Sequence, residues 1–459
     1  MSAAFDLLIR GGNVVTEAGV GLADVAVSEG RIVAVEPEIG ETAREEIDAT
    51  GLHIFPGVID AHVHFNEPGR ADWEGWATGT QALAAGGGVC CFDMPLNAHP
   101  PTLDAASFDA KLAAAEEAAV TDFALWGGLV PGNLDRLEEL AERGVVGLKA
   151  FMSNSGIEDF PAADDLTLLE GMQRAASLGL IVAVHAESDV LTSQFAARSV
   201  AAGRTSARDY LASRPVIAEV EAISRAILFA EETGCALHIV HVSSGRGVAL
   251  VAEARARGVD VTCETCPHYL VFTEDDLERL GAVAKCAPPL RPAADREALW
   301  RELESGAIAF VASDHSPSPP SLKERPSFFA VWGGISGCQS LLPALLTAGY
   351  HQRGLPLERI AALVAGAVAR RFRILGKGEI AVGFDADLAL VRLDARATLR
   401  REDLCYRHAL SPYVGMTFTG QVARTIRRGE TIALNGRPVA SGGGRLVRPA
   451  PLAPAVPAA

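Results

Sequence analysis

The chain has 459 residues, 49% of them hydrophobic, and a formal net charge of -16. That length exceeds one ordinary domain of about 100 to 200 residues and supplies a large core, enough for an eight-stranded barrel with a smaller unit beside it. Nucleic acid and anionic membranes are excluded as main partners, because both are held by clustered Lys and Arg, and a small-molecule substrate fits better.

The start, Met1 to Leu8, has no basic segment leading into a long apolar run, and no later window of about 18 uninterrupted apolar residues follows, which predicts a cytoplasmic protein. From Phe5 to Ile54, short alternating runs such as Leu7-Leu8-Ile9-Arg10 and Val25-Ala26-Val27 are broken by Gly11-Gly12 and Gly30-Arg31. This is strand patterning with glycine turns. It returns in Ala386–Val391 and Val422–Leu434, so residues 1–54 and 376–446 are predicted to build one small β-sandwich from both chain ends. The tail, 447–459, is rich in Pro and Ala and is predicted to be disordered.

Residues 55–375 alternate strands with helices. The apolar runs are Ile54–Val63, Gly88–Phe92, Asp122–Leu129, Val145–Phe151, Leu180–Val184, Ala236–Val242, Val259–Thr262 and Ala307–Ala312. Helical composition fills Ser107–Ala119, Leu134–Arg143, Asp164–Leu178, Glu219–Glu232 and Gly247–Arg257. Strands with helical crossovers, eight times over, predict an α/β fold of the (β/α)8 barrel type.

Polar residues then line up at the strand ends. His62 and His64 close the first run, Lys149 the fourth, His185 the fifth, His241 the sixth, and Asp314 follows the eighth. In a barrel these carboxyl ends meet at one mouth, where such folds keep their chemistry. The pair His62 and His64, spaced i, i+2 on a strand, points to one side. Imidazole and carboxylate suit zinc or a similar ion, and four histidines with an aspartate exceed the roughly three protein ligands of one catalytic zinc, so two metals are implied. Lys149 lies in an apolar stretch, Gly147–Met152; burial beside cations would lower its pKa from about 10.4. The neutral amine can then add CO2 to become a carbamate (N6-carboxylysine) able to bridge two ions. His238, three residues before His241, is predicted to face the outer helices, while His268 and His315 are candidates to orient ligands. The eight cysteines form no framework of short loops and read as reduced thiols; Cys263 and Cys266 have half-ribbon spacing but no second pair.

The motifs Asp60–His64 (DAHVH), Gly147–Phe151 (GLKAF), Val184–Glu187 (VHAE), His238–Ser243 (HIVHVS), Cys266–Leu270 (CPHYL), Cys286–Arg291 (CAPPLR) and Ser313–Pro317 (SDHSP) together resemble the cyclic amidohydrolases of the amidohydrolase superfamily. The resemblance implies that His62, His64 and Asp314 hold one metal, His185 and His241 the other, with carbamylated Lys149 between them, and it implies a homotetramer. It implies hydrolysis of a cyclic amide; from these roles, Asp314 is the expected acid-base residue that takes the proton of water and passes it to the leaving nitrogen, the alternative being a purely metal-ligating role.

Within that family, Phe65-Asn66-Glu67-Pro68-Gly69-Arg70, Asp93–Asn97 and Pro100-Pro101-Thr102 resemble the allantoinase branch, which opens allantoin to allantoate in purine catabolism. Dihydroorotases typically carry an arginine at the position of Asn66, a charged fork for the substrate carboxylate. Hydantoinases and dihydropyrimidinases usually place a tyrosine just after the bridging lysine, whereas this chain reads Lys149-Ala150-Phe151-Met152-Ser153-Asn154, with no hydroxyl-bearing aromatic. Asn97, Ser153 and the backbone around Cys286 are the candidate substrate contacts. The alternatives are another cyclic amidase, a hydantoinase or divergent dihydroorotase, and a non-enzymatic scaffold; with all six ligand positions filled, the enzyme is the expectation.

Overall fold

The structure is a computed structural model that describes residues 3–451. The amino-terminal strands are β1 (Phe5–Thr16), β2 (Gly19–Ser28), β3 (Arg31–Glu36), β4 (Ala43–Asp48) and β5 (His53–Pro56). The barrel strands follow as β6 (Val58–Val63), β7 (Gly88–Asp93), β8 (Asp122–Leu125), β9 (Gly127–Gly128), β10 (Leu148–Phe151), β11 (Val182–His185), β12 (Leu237–Ile239), β13 (Val261–Thr265) and β14 (Phe310–Val311). Near the carboxyl end come β15 (Leu388–Thr398), β16 (Thr417–Arg427), β17 (Glu430–Leu434) and β18 (Arg437–Pro438).

β6, β7 and β8 pair in parallel, as do β9 through β14, and β8 and β9 are one strand interrupted at Trp126. A parallel bridge from Val63 to His315 closes the ring, giving the (β/α)8 barrel expected from the eight apolar runs. Alternation sorts the side chains of each strand. Leu148 and Ala150, Val182 and Val184, and Leu237 and Ile239 pack against the helices, while Ala183, Val240, Phe310 and Ala312 fill the barrel interior with Trp126 and Phe372.

The run Ile54–Val63, expected as one strand, is divided at Gly57. β5 pairs with β1 and β15 in the terminal sheet, and β6 enters the barrel. A side chain at Gly57 would meet Val89 at 2.4 Å, so only glycine lets the chain pass so close to β7 at the junction. The terminal sheet runs β18-β17-β16-β15-β5-β1-β2-β3, with β4 also on β1, so both chain ends share one nine-stranded unit. Its period-2 pattern puts Leu7, Ile9, Val25 and Val27 in one core and Leu8, Ala26 and Ile39 in another.

The tail departs from expectation. Val447 N–H donates to the Phe123 carbonyl (2.7 Å) and Ala450 N–H to that of Arg373 (2.8 Å), so 447–451 is held by backbone bonds; residues 452–459, like 1 and 2, lie outside the described residues. No helix among the described residues is long and apolar enough to cross a membrane.

A buried ion cluster ties the barrel to the terminal sheet. Lys377 Nζ lies 2.8, 3.0 and 2.6 Å from Asp122, Asp385 and Asp387. The three carboxylates could gather around a cation, and the lysine is that cation. Lys377→Met leaves buried Asp387 without its cation, while Asp122 keeps Arg428 and Asp385 keeps Arg31, and is expected to cost about 3 to 5 kcal/mol of stability, measured by urea denaturation.

Candidate functional site

A cavity of about 650 Å3 opens at the carboxyl ends of the barrel strands. His62, His64, His185, His241 and Asp314 line it, together with Asn97 and Cys286 of the candidate substrate contacts. Ser153 is buried, with its hydroxyl unpartnered, and is not part of the cavity wall. Asn97 turns its carbonyl to Arg70 Nη1 (2.9 Å), and the Cys286 carbonyl accepts from Tyr210 Oη (2.9 Å).

Backbone at the mouth is strained. Among the eight non-glycine residues with positive φ in the described residues are Asn66 (66°), Asn97 (69°), His241 (41°) and Asp314 (46°). Such conformations cost roughly 1 to 3 kcal/mol each and gather where function over-determines them. At His241 the turn also breaks strand alternation. β12 ends at Ile239, so His238 and His241 both reach the barrel interior despite their three-residue spacing. His238 was expected against the outer helices; instead it stacks on Phe310 (4.9 Å) and bonds Thr262 and Glu264.

The tautomers follow from the partners. His62 Nδ1 donates to Glu264 Oε1 (2.6 Å), and His238 Nε2 donates to Glu264 Oε2 (3.1 Å). Burial alone would raise the Glu264 carboxyl, yet His62 and His238 outweigh it and hold it down to about 2. A neutral His62 with its proton on Nδ1 presents a bare Nε2 lone pair to Asp314 Oδ1, 3.3 Å away; His64 Nε2 lies 3.4 Å from the same oxygen. Burial lowers His64 further from protonation, and its Nδ1 has no partner. Asp314 stays well below the usual carboxylate range because the surrounding histidines outweigh its burial. The bare His62 Nε2 lone pair facing an anionic oxygen is repulsive unless a proton or metal cation lies between them, and the donor atoms of His62, His64 and Asp314 fall within 4.8 Å of one another.

The second pair repeats the pattern. His185 Nε2 donates to Glu187 Oε2 (2.9 Å), which leaves its Nδ1 lone pair toward His241 Nε2 at 3.0 Å. Two nitrogens each about 2.0 to 2.1 Å from one tetrahedral ion lie about 3.3 to 3.4 Å apart, so a small opening of this pair would let both rings share an ion. Burial lowers both rings from protonation, His241 strongly. Arg214 clamps Glu187 through Nη2 and through Nε (3.1 and 3.2 Å), and together with His185 it overcomes the carboxyl's burial, holding it down to about 2.

Lys149 lies on β10, opposite Ala183 of β11, fully buried beneath the cavity. Its Nζ has no hydrogen-bond partner and sits 5.0 Å from the Phe151 ring, which stacks on His185 (4.6 Å). Burial pulls the amine down to about 7, although Asp314 and Glu264 act to raise it. An orphaned, partly neutral buried amine between two histidine pairs fits a group that acquires acceptor oxygens. The donor set therefore suits two divalent ions.

Of the histidines held as candidates to orient ligands, His315 accepts the His64 backbone N–H at its carbonyl (2.8 Å) and Gly337 N–H at Nδ1 (3.1 Å). His268 contacts Tyr269 and leaves both nitrogens unpartnered. Orientation comes instead from Glu187 and Glu264. Glu264 lies beyond the seventh apolar run, which ends at Thr262, whereas the strand itself extends to Thr265; Cys263 and Cys266 beside it are buried free thiols.

The amidohydrolase family model matches residues 53–432. An allantoinase of Rubrobacter xylanophilus is 64% identical over 446 residues, covering 97% of this chain and 98% of that protein. An allantoinase of Solibacter usitatus is 59% identical over 444 residues, covering 97% of each. The L-hydantoinase (dihydropyrimidinase) structure from Arthrobacter aurescens superposes with a TM-score of 0.94 at 35% identity, covering 97% of this chain and 100% of that one. With this match across barrel, terminal sheet and cavity, the chain belongs to the amidohydrolase family.

Proposed function

We propose that this chain hydrolyses allantoin to allantoate. The relatives named allantoinase support this reading over nearly the whole length. The observation that carries it within the structure is the state of the cations in the cavity wall. Among the described residues these are Arg214, committed to Glu187, and Lys285, committed to backbone carbonyls. Asn66 adds no charge where dihydroorotases carry arginine. No free cation awaits a substrate carboxylate, which suits a neutral ring and disfavours dihydroorotate. The segment after Lys149, Ala150 to Asn154, carries no tyrosine of the kind hydantoinases use.

In this reading His62, His64 and Asp314 would hold one divalent ion and His185 and His241 another, with Lys149, as its CO2-derived carbamate, supplying further oxygen donors; zinc suits the donors. Bound there, such ions supply Lewis acidity toward an amide carbonyl and make water a better nucleophile near neutral pH. Asp314 turns Oδ1 to the histidines and uses Oδ2 to accept the proton of water and deliver it to the leaving ring nitrogen. Asn97 and the backbone at Cys286 contact the ring or its ureido arm, while Ser153, buried outside the cavity wall, is left out of the substrate contacts. We read the protein as a cytoplasmic homotetramer.

Glu264→Gln keeps the size of the side chain but removes the charge that fixes the His62 tautomer. It is expected to weaken metal binding about 10- to 100-fold, measured by chelator competition. The substrate is tested by initial rates of the metal-reconstituted protein on allantoin, hydantoin, dihydrouracil and dihydroorotate. Allantoin is expected to be turned over fastest. Brisk turnover of another ring with negligible allantoin hydrolysis overturns the reading.

A further inference from the structure

Between Asp314 and the helix that begins at Leu341, the chain makes a long excursion over the cavity with only short helical turns, and its residues 329–334 form a continuous part of the cavity wall. Irregular segments of this length in compact domains need something to order them. Here two lysines do so. Lys285 Nζ donates to the carbonyls of Phe328 (2.7 Å), Val331 (2.5 Å) and Phe329 (3.4 Å), which commits all three ammonium hydrogens. Lys323 Nζ donates to Trp332 (2.9 Å) and Gly334 (2.7 Å).

Neither lysine makes an ion pair among the described residues, and Lys285 is 4% exposed. Burial without a carboxylate pulls both amines down to about 7, and the surrounding backbone carbonyls are what their N–H hydrogens bond to. The Lys285 backbone is part of the same strap: its carbonyl accepts Gly334 N–H at 2.7 Å, and the next residue, Cys286, lines the cavity. Lys285 also lies 4.5 Å from the Tyr210 ring, whose hydroxyl donates to the Cys286 carbonyl. On the far side Trp332 meets Trp73 edge-on at 4.8 Å. Five carbonyls of one segment are thus drawn to two ammonium groups, while that segment faces the space above the histidines.

We propose that Lys285 and Lys323 are specificity-determining positioning residues, holding residues 328–334 as the wall against which the ureido arm of the substrate is seated. This rests on the allantoin reading. The scissile amide lies at the histidines, so a ring substituent projects toward the mouth, and the wall set by the lysines decides whether an arm gains contacts there. Neither lysine touches the reacting atoms.

The test compares kcat/KM for allantoin and for unsubstituted hydantoin in the metal-loaded wild type, Lys285→Met, Lys323→Met and Lys323→Arg, with metal content and thermal unfolding followed in each. The Met variants are expected to lower the allantoin-to-hydantoin ratio about tenfold or more, with the loss in KM for allantoin and metal content unchanged. Lys323→Arg, which keeps a cationic donor, is expected to retain most of the ratio. Should Lys285→Met fail to fold, the half-buried Lys323 carries the test. An unchanged ratio, or equal losses on both rings, overturns the proposal. If the wild type leaves allantoin intact, the substrate reading falls separately, and the lysines are judged on the preferred substituted ring against hydantoin.

Discussion

Asp314→Asn is expected to lower kcat for ring opening by about 10^3 to 10^4, near the upper end of what one positioned acid-base group contributes. The amide is almost the same size. Its left-handed backbone, φ 46°, is one that asparagine adopts readily, so the fold should survive. What disappears is the negative charge between His62 Nε2 and His64 Nε2 and the oxygen that can hold a proton. Steady-state kinetics alongside circular dichroism and metal analysis separate these losses. A variant within threefold of wild type would remove Asp314 from the chemistry.

Lys149→Ala should have the second large effect. Lys149 Nζ makes no hydrogen bond, so removing it leaves no partner stranded, and unfolding is not the expected result. What the substitution takes away is the only group between the two histidine pairs that can gain acceptor oxygens. Metal content after dialysis is expected to fall below two per chain, with activity down at least about 10^3-fold, equivalent to about 4 kcal/mol of barrier. Formate or acetate, small enough for the space left, should restore part of both. Wild-type metal content and activity in this variant would contradict the bridging role.

Much of this architecture was legible in the sequence because the barrel imposes order on it. Strand ends converge wherever eight parallel strands close, so His62, His64, His185, His241 and Asp314 could be gathered by counting apolar runs. Four residues were not legible, two for local reasons and two for distant ones. Gly57 divides one apolar run between two sheets, and run length alone hides a close backbone approach. His241 has a left-handed backbone that cancels the alternation from which His238 was placed outside the barrel. Glu264 and Lys285 act through partners far along the chain, His62 and residues 328–331, and no spacing rule connects them. Side chains that touch a ligand recur in motifs, whereas those that aim other groups are found by tracing hydrogen bonds.

The most direct test of the account is the metal stoichiometry of the active protein, read by elemental analysis as a chelator is titrated in and allantoin turnover is followed. Two divalent ions per chain, with activity lost as they leave and regained when zinc and bicarbonate are returned, is the predicted result. Full allantoin hydrolysis by protein holding no divalent ion would contradict it.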